Sequence, residues 1–155
     1  MLIYFGADHK GFELKEHLKK YVNDLGYETY DVGNDSYDEK DDYTDFAAAV
    51  GQGVGRDSAD ARGVLICGSG AGMVVTVNKF QGVRGSLAVN ADQVYDARRE
   101  DDINVLCIAS NFTDEKQAEE MVKNMLQTEF DDQEKRVRRL NKITEIEEQN
   151  FVPRY

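Results

Sequence analysis

Proline occurs once, at Pro153, and no low-complexity tract, internal repeat or linker interrupts the 155 residues. One domain over residues 1–150 with a short tail, 151–155, is therefore expected. Cysteine is scarce as well: Cys67 and Cys107 both sit in apolar, strand-like runs rather than in surface loops, which excludes a disulfide scaffold and suits a reducing cytoplasm. No apolar run approaches the length needed to span a membrane. Met1 to Gly6 enters strand-like sequence without a basic region or cleavage site, so no secretory signal is expected. Positive charge is in deficit, with 19 Lys and Arg against 30 Asp and Glu and a net charge of −11. Nucleic acid and anionic membranes, which need a basic footprint, are poor partners for such a chain.

The missing charge makes one basic cluster conspicuous. Lys135, Arg136, Arg138 and Arg139 lie close together near the carboxyl end, and a helix would bring Lys135, Arg136 and Arg139 toward one face. Such a patch could clamp a phosphorylated small molecule. The plainer reading is a solvated helix face paired with Asp131, Asp132 and Glu134.

The most informative segment is Ile66-Cys67-Gly68-Ser69-Gly70-Ala71-Gly72-Met73, which follows an apolar run and leads into a helical pattern. Glycines there let backbone N–H groups approach an anion at a helix start, and the same surroundings favour a thiolate at Cys67. The segment is not a P-loop, because no Gly-Lys-Ser/Thr follows; Lys79 lies too far along. Nor is it a nucleophile elbow, since the residue two before Ser69 is Cys67 rather than glycine. Gly68-x-Gly70 lacks the third glycine of a dinucleotide fingerprint, with Met73 or Val74 in its place. A purely structural strand-to-helix turn remains the alternative.

Strand-like runs at 2–6, 27–32, 63–67, 83–89 and 104–109 alternate with helical patterns at 11–25, 45–54, 70–80, 91–99, 114–128 and 131–149. Asp131 and Glu134 look like a capping-box start for the last helix. Repeated strand–helix–strand units predict an α/β fold: a doubly wound, Rossmann-like, five-stranded parallel sheet of order 2-1-3-4-5, with an extended C-terminal helix. In that order the crevice lies between strands one and three. Ala7-Asp8-His9 and Cys67-Gly68-Ser69-Gly70 would meet there. In isolation Asp8 reads as a helix N-cap, His9 as a partly buried strand-end residue, Tyr43 as loop packing, His17 as a solvated helix residue and Cys107 as a small core residue.

Gly6-Ala7-Asp8-His9-Lys10-Gly11-Phe12 with Leu14-Lys15, then Asp42-Tyr43, Cys67 to Gly72, Asn78-Lys79, Gly82-Val83-Arg84 and Asn104-Val105-Leu106 carry a resemblance. In order and spacing, up to about Ile146, the chain resembles the ribose-5-phosphate isomerase B family, which includes galactose-6-phosphate isomerase subunits. The resemblance implies a metal-independent aldose–ketose isomerisation of a sugar phosphate through an enediolate, with no cofactor. It makes Cys67 the base; some members use a glutamate six positions on, where this chain has Met73. Ser69 and the amides around Gly70, Ala71 and Gly72 would hold the enediolate oxygens, Asp8 the sugar hydroxyls, and His9 the ring oxygen or phosphate. Tyr43 would close the pocket, and Gly68, Asn78 and Asp101 would also contact substrate.

The chain departs from that pattern where Arg98-Arg99-Glu100-Asp101-Asp102 replaces Arg-x-His-Asn-Asp, putting Glu100 in place of a histidine thought to help open the ring. Asn111 stands where an arginine often binds phosphate, and Lys135-Arg136-Val137-Arg138-Arg139 replaces Arg-His-x-x-Arg. The implied substrate is ribose 5-phosphate, converted to ribulose 5-phosphate. Galactose or allose 6-phosphate, or a noncatalytic sugar-phosphate-binding paralogue, are the alternatives. Members build the cleft at a dimer interface, so a homodimer or dimer of dimers is implied. The aliphatic set Val137, Leu140, Ile143 and Ile146 on a charged terminal helix needs another surface to cover it.

Overall fold

The computed structural model describes residues 1–151; Pro153 lies outside the described residues. Five parallel strands, β1 (Leu2–Ala7), β2 (Glu28–Asp31), β3 (Arg62–Cys67), β4 (Gly85–Leu87) and β5 (Val105–Ala109), form one sheet. Six helices connect and follow them: α1 (Phe12–Asp24), α2 (Tyr43–Arg56), α3 (Ala71–Val77), α4 (Ala91–Asp101), α5 (Glu115–Gln127) and α6 (Glu134–Asn150). None of the described helices is long and apolar enough to cross a membrane.

The doubly wound fold stands, but the strand order is 2-1-3-5-4, with the last two strands exchanged relative to expectation. Hydrophobicity explains the exchange. β5 is five consecutive buried residues, Val-Leu-Cys-Ile-Ala, and needs a neighbour on both sides, whereas β4 is three half-buried residues, Gly-Ser-Leu, suited to an edge. The crevice between β1 and β3 is unaffected, because those two strands remain adjacent.

Right-handed crossovers fix which face each helix covers. α1 and α4 connect strands in one direction and lie with α5 on one face; α2 and α3 run in the other direction and cover the opposite face. Alternation along β3 divides its side chains accordingly: Val64 and Ile66 enter the core under α1 and α5, and Leu65 and Cys67 the core under α2 and α3. Cys67 is thus aimed at the start of α3. Cys107 is enclosed in the same cluster, and burial, with the neighbouring Cys67 second, pushes its thiol far above the ordinary range. It serves as core.

Two expectations away from the cleft are corrected, the capping-box start of the last helix and the solvated His17 of α1. α6 begins at Glu134 with Gln133 as its uncapped N-cap residue, and the Asp131 carboxylate instead receives Arg99 at 2.9 Å and Arg136. The capping box belongs to α5, where Asp114 and Gln117 exchange side-chain and backbone bonds. His17 is one-third exposed rather than fully solvated, and its Nε2 lies 2.7 Å from Glu119 Oε1 of α5.

Candidate active site

The loops that leave β1, β3 and β5 are joined by their backbones. Asp8 N–H donates to Ile66 C=O at 3.3 Å, Ser110 N–H to Cys67 C=O at 2.9 Å and Asn111 N–H to Gly68 C=O at 3.1 Å. Together they rim a cavity of about 250 Å³ lined by Asp8, Lys10, Tyr43, Cys67, Gly68, Ser69, Gly72 and Asn111. Larger concavities lie at the opposite ends of the strands, along α6 and, at about 350 Å³, beside Lys10 between the starts of α1 and α5, but none of them is lined by Cys67.

Cys67 forms the floor of the cavity at 4% exposure, as a free thiol. The Gly70 N–H donates to its Sγ at 3.1 Å, so a backbone dipole points at any negative charge the sulfur carries. That geometry requires Gly70 to adopt φ +71°, where a side chain would be strained and would strike Leu87. The expected anion hole is consequently divided. The Gly70 amide serves the sulfur and the Ala71 amide reaches Ser69 Oγ at 3.4 Å, while Gly72, in the first turn of α3, lines the cavity with an N–H that has no intrahelical acceptor. Ser69 is exposed at the rim, its hydroxyl available to a ligand.

Asp8 is buried at 7% exposure, and its Oδ1 accepts the Lys10 and Gly11 N–H groups at 3.0 and 3.2 Å. It therefore caps the turn before α1 and also presents a carboxylate to the cavity. His9 Nδ1 lies 2.8 Å from Asp41 Oδ1, which also accepts the His9 backbone N–H at 3.0 Å. Polar atoms of Asp8, His9 and Asp41 fall within 4.8 Å of one another, a grouping that could in principle hold a cation. Asp41, however, already accepts from His9 at Oδ1 and from Asn34 Nδ2 at Oδ2, while Asp8 Oδ1 is taken by the Lys10 and Gly11 N–H groups. Tyr43, the first residue of α2, lays its ring against Gly72, where an added Cβ would come within 2.6 Å.

His9 and Ala71 adjoin the cavity in sequence but do not line it, and the remaining expected residues are not brought to it within one chain. Asn78 closes the α3–β4 turn by donating to Gly85 C=O at 2.9 Å and accepting the Gly85 N–H at 2.8 Å. Glu100 and Asp101 lie at the far end of α4; Glu100 Oε1 accepts from Arg136 at 2.8 Å, and Asp101 lines a separate groove against α6. Arg136 turns inward to Glu100 and Asp131 at 8% exposure, so Lys135, Arg136 and Arg139 do not form the expected three-residue clamp. Successive helical positions are about 100° apart, which carries Arg136 toward its own α4 while Lys135 and Arg139 stay exposed. Lys10 and Asn111 line the cavity without having been singled out as binding groups. Their signal was their position one residue beyond His9 and two beyond the end of β5, at the carboxyl edge of the sheet.

Comparison with known proteins yields consistent relatives. The family described as Ribose/Galactose Isomerase matches residues 3–143. Ribose-5-phosphate isomerase B from Mycoplasma genitalium, solved with bound ribulose-5-phosphate, superimposes with a TM-score of 0.93 at 32% identity, covering 96% of this chain and 97% of that one. Type B ribose 5-phosphate isomerase from Trypanosoma cruzi gives a TM-score of 0.91 at 34% identity over 97% and 100%. D-erythrulose-4-phosphate isomerase 2 of Mycolicibacterium smegmatis is 35% identical over 150 residues, 94% of this chain and 96% of its own.

Proposed function

The chain belongs to the ribose/galactose isomerase family of sugar-phosphate isomerases, and from that premise we propose that it interconverts ribose 5-phosphate and ribulose 5-phosphate with Cys67 as the base. The observation that carries this reading is the thiol of Cys67, free and aimed into a sugar-sized cavity, with an N–H on its sulfur and a carboxylate beside it. The Cys67 thiolate removes the proton from C2 of the open aldose and returns it to C1, with Ser69 and the Gly72 amide holding the enediolate oxygens. Asp8 receives sugar hydroxyls. Tyr43 covers the opening, and Gly68, where an added Cβ would come within 2.8 Å of the Lys10 side chain and 3.0 Å of the Asn111 amide, lets both side chains lie against the loop.

Phosphate recognition is assigned to exposed cations, Lys10 of the same chain and Lys135 and Arg139 of a second copy. α6 makes few contacts with its own chain and leaves Val137, Ile143 and Ile146 exposed at 37%, 40% and 59%, which supports a homodimer in which this helix is covered. A reducing cytoplasm suits the two free thiols.

The test is a coupled assay in both directions on a panel of tetrose, pentose and hexose phosphates, run in deuterated water. Turnover of ribose 5-phosphate with solvent deuterium entering the carbon that receives the proton is the expected result. Faster turnover of a tetrose or hexose phosphate would reassign the substrate, and binding without any turnover would leave a sugar-phosphate-binding paralogue.

A further inference from the structure

We propose that Arg62 anchors a second ligand site, at the amino edge of the sheet, for a small organic carboxylate with an apolar body. Arg62 and Cys67 are the first and last residues of β3, so the two sites stand roughly 16 Å apart along one strand. A cavity of about 520 Å³ lies there, with Arg62, Arg98, Asp102 and Glu129 as its charged lining. Arg62 is 9% exposed, and both of its hydrogen bonds leave from Nη1, to the Ala61 carbonyl at 2.9 Å and the Ala59 carbonyl at 3.3 Å. Its Nε is buried with no acceptor among the described residues. Neither bond reaches a carboxylate, so the charge itself is unmatched. The acidic groups nearby are engaged or exposed: Asp102 accepts from Arg98 at 2.8 Å and from Arg84 at 2.7 Å, Asp60 pairs with the Met1 ammonium at 3.2 Å, and Glu129 is exposed. Burial and then the Arg98 charge, with Arg84 adding to it, hold the Arg62 guanidinium below its ordinary value; Asp102 and Asp60 oppose this without cancelling it.

A buried cation without a counterion is costly, and a bound anion removes that cost. One unmatched positive charge is answered by one negative charge. A guanidinium presents Nε and Nη2 along one edge, a fork that the two oxygens of a carboxylate match. Arg98 has no such fork to offer, because its Nε donates to the Thr128 carbonyl at 3.2 Å and its Nη1 to Asp102 and the Ile103 carbonyl. Tyr27, Leu126 and Phe130 complete the wall and give the rest of the molecule an apolar surface to lie on. A sugar phosphate suits this cavity poorly: Glu129 and Asp102 repel a dianion, and the apolar side chains offer its hydroxyls no partners. The site is independent of the chemistry at Cys67.

The experiment titrates propionate, inorganic phosphate and the uncharged propionamide into the nitrogen-15-labelled full chain and follows backbone amides by NMR. Propionate should shift the amides of Arg62, Gly63 and Thr128 and leave those of Gly70 and Gly72 unmoved. Phosphate should bind there more weakly, and propionamide should shift none of them. Arg62→Met keeps the apolar stem and removes the charge, and should weaken propionate about 10- to 100-fold, the worth of one charge-assisted pair. Glu129→Gln, a change at an exposed residue, should tighten propionate roughly 2- to 3-fold by removing a like charge. The proposal is overturned if about 20 mM propionate shifts none of the three amides in wild type or Glu129→Gln, or shifts only Gly70 and Gly72. Equal binding of propionate by Arg62→Met, or of propionamide by wild type, would overturn it as well. Phosphate binding at Arg62 more tightly than propionate would overturn the assignment of a carboxylate.

Discussion

Replacing Cys67 separates catalysis from architecture more sharply than any other single change. Cys67→Ala deletes one sulfur from a side chain 4% exposed at the floor of the cavity, a loss of about 1 kcal/mol of buried contact. The Gly70 N–H loses its acceptor at 3.1 Å, yet it borders a space of about 250 Å³ that water can enter, so no orphaned donor is created. For a chain of this size the melting temperature should fall by roughly 2–4 °C. Removal of the base, by contrast, should slow isomerisation about 100- to 10,000-fold, or roughly 3–5 kcal/mol of barrier. Cys67→Ser supplies the control: its hydroxyl can still accept from Gly70 but does not ionise near neutral pH. Isomerisation rates, solvent deuterium incorporation and calorimetric melting should show both variants folded, able to bind a sugar phosphate and nearly inert. Retention of more than about one hundredth of the wild-type rate in either would refute Cys67 as base.

Gly72→Ala would set a methyl 2.6 Å from the Tyr43 ring, which is 40% exposed and free to swing away. Affinity for a sugar phosphate by calorimetry should weaken about 3- to 10-fold with little change in melting temperature, and equal affinity would show that Tyr43 does not cover the ligand. Burial alone would push the Asp31 carboxyl up, but hydrogen bonds from Lys15 and Lys19 and the Gly33 N–H outweigh it and hold the group below its ordinary value of 3.8. Its folded-state value being depressed, Asp31 contributes stability above pH 3.8 that is lost as the pH falls through the folded value; chemical denaturation of Asp31→Asn should show a loss of about 2–3 kcal/mol near pH 7 that shrinks below pH 4. Arg139→Ala should weaken ribose 5-phosphate and inorganic phosphate binding together, with added salt doing the same to wild type, and unchanged affinity for both would reduce Arg139 to a solvated helix residue.

The features legible in the sequence were those written in contiguous residues. The apolar run ending at Cys67 and the glycines after it fixed the strand, the left-handed turn at Gly70 and the thiol's place at the carboxyl edge. The order of β4 and β5 was not legible, because 83–89 has an apolar pattern while only Gly85–Leu87 pairs; neighbour choice depended on the uninterrupted burial of β5. Asp41 was hidden for a different reason. It sits among Asp35, Asp38, Glu39 and Asp42 in a loop that reads as solvated, and its partner His9 is 32 residues away. Arg136 was misplaced because residue spacing on a helix says which side chains are neighbours but not which side faces the rest of the chain.

The backbone bonds joining the β1, β3 and β5 loops bear on how this protein spends time between conformations. None of Asp8, Cys67 or Asn111 can move away without breaking a hydrogen bond to the adjacent loop, so amide exchange at Asp8, Ser110 and Asn111 should be slow and should share one opening rate. Mobility of the ligand envelope then falls to the groups outside that seam, Tyr43 above all. Association should accordingly be gated by reorientation of one aromatic ring over a rigid floor, and little of the binding free energy is lost to ordering the chain.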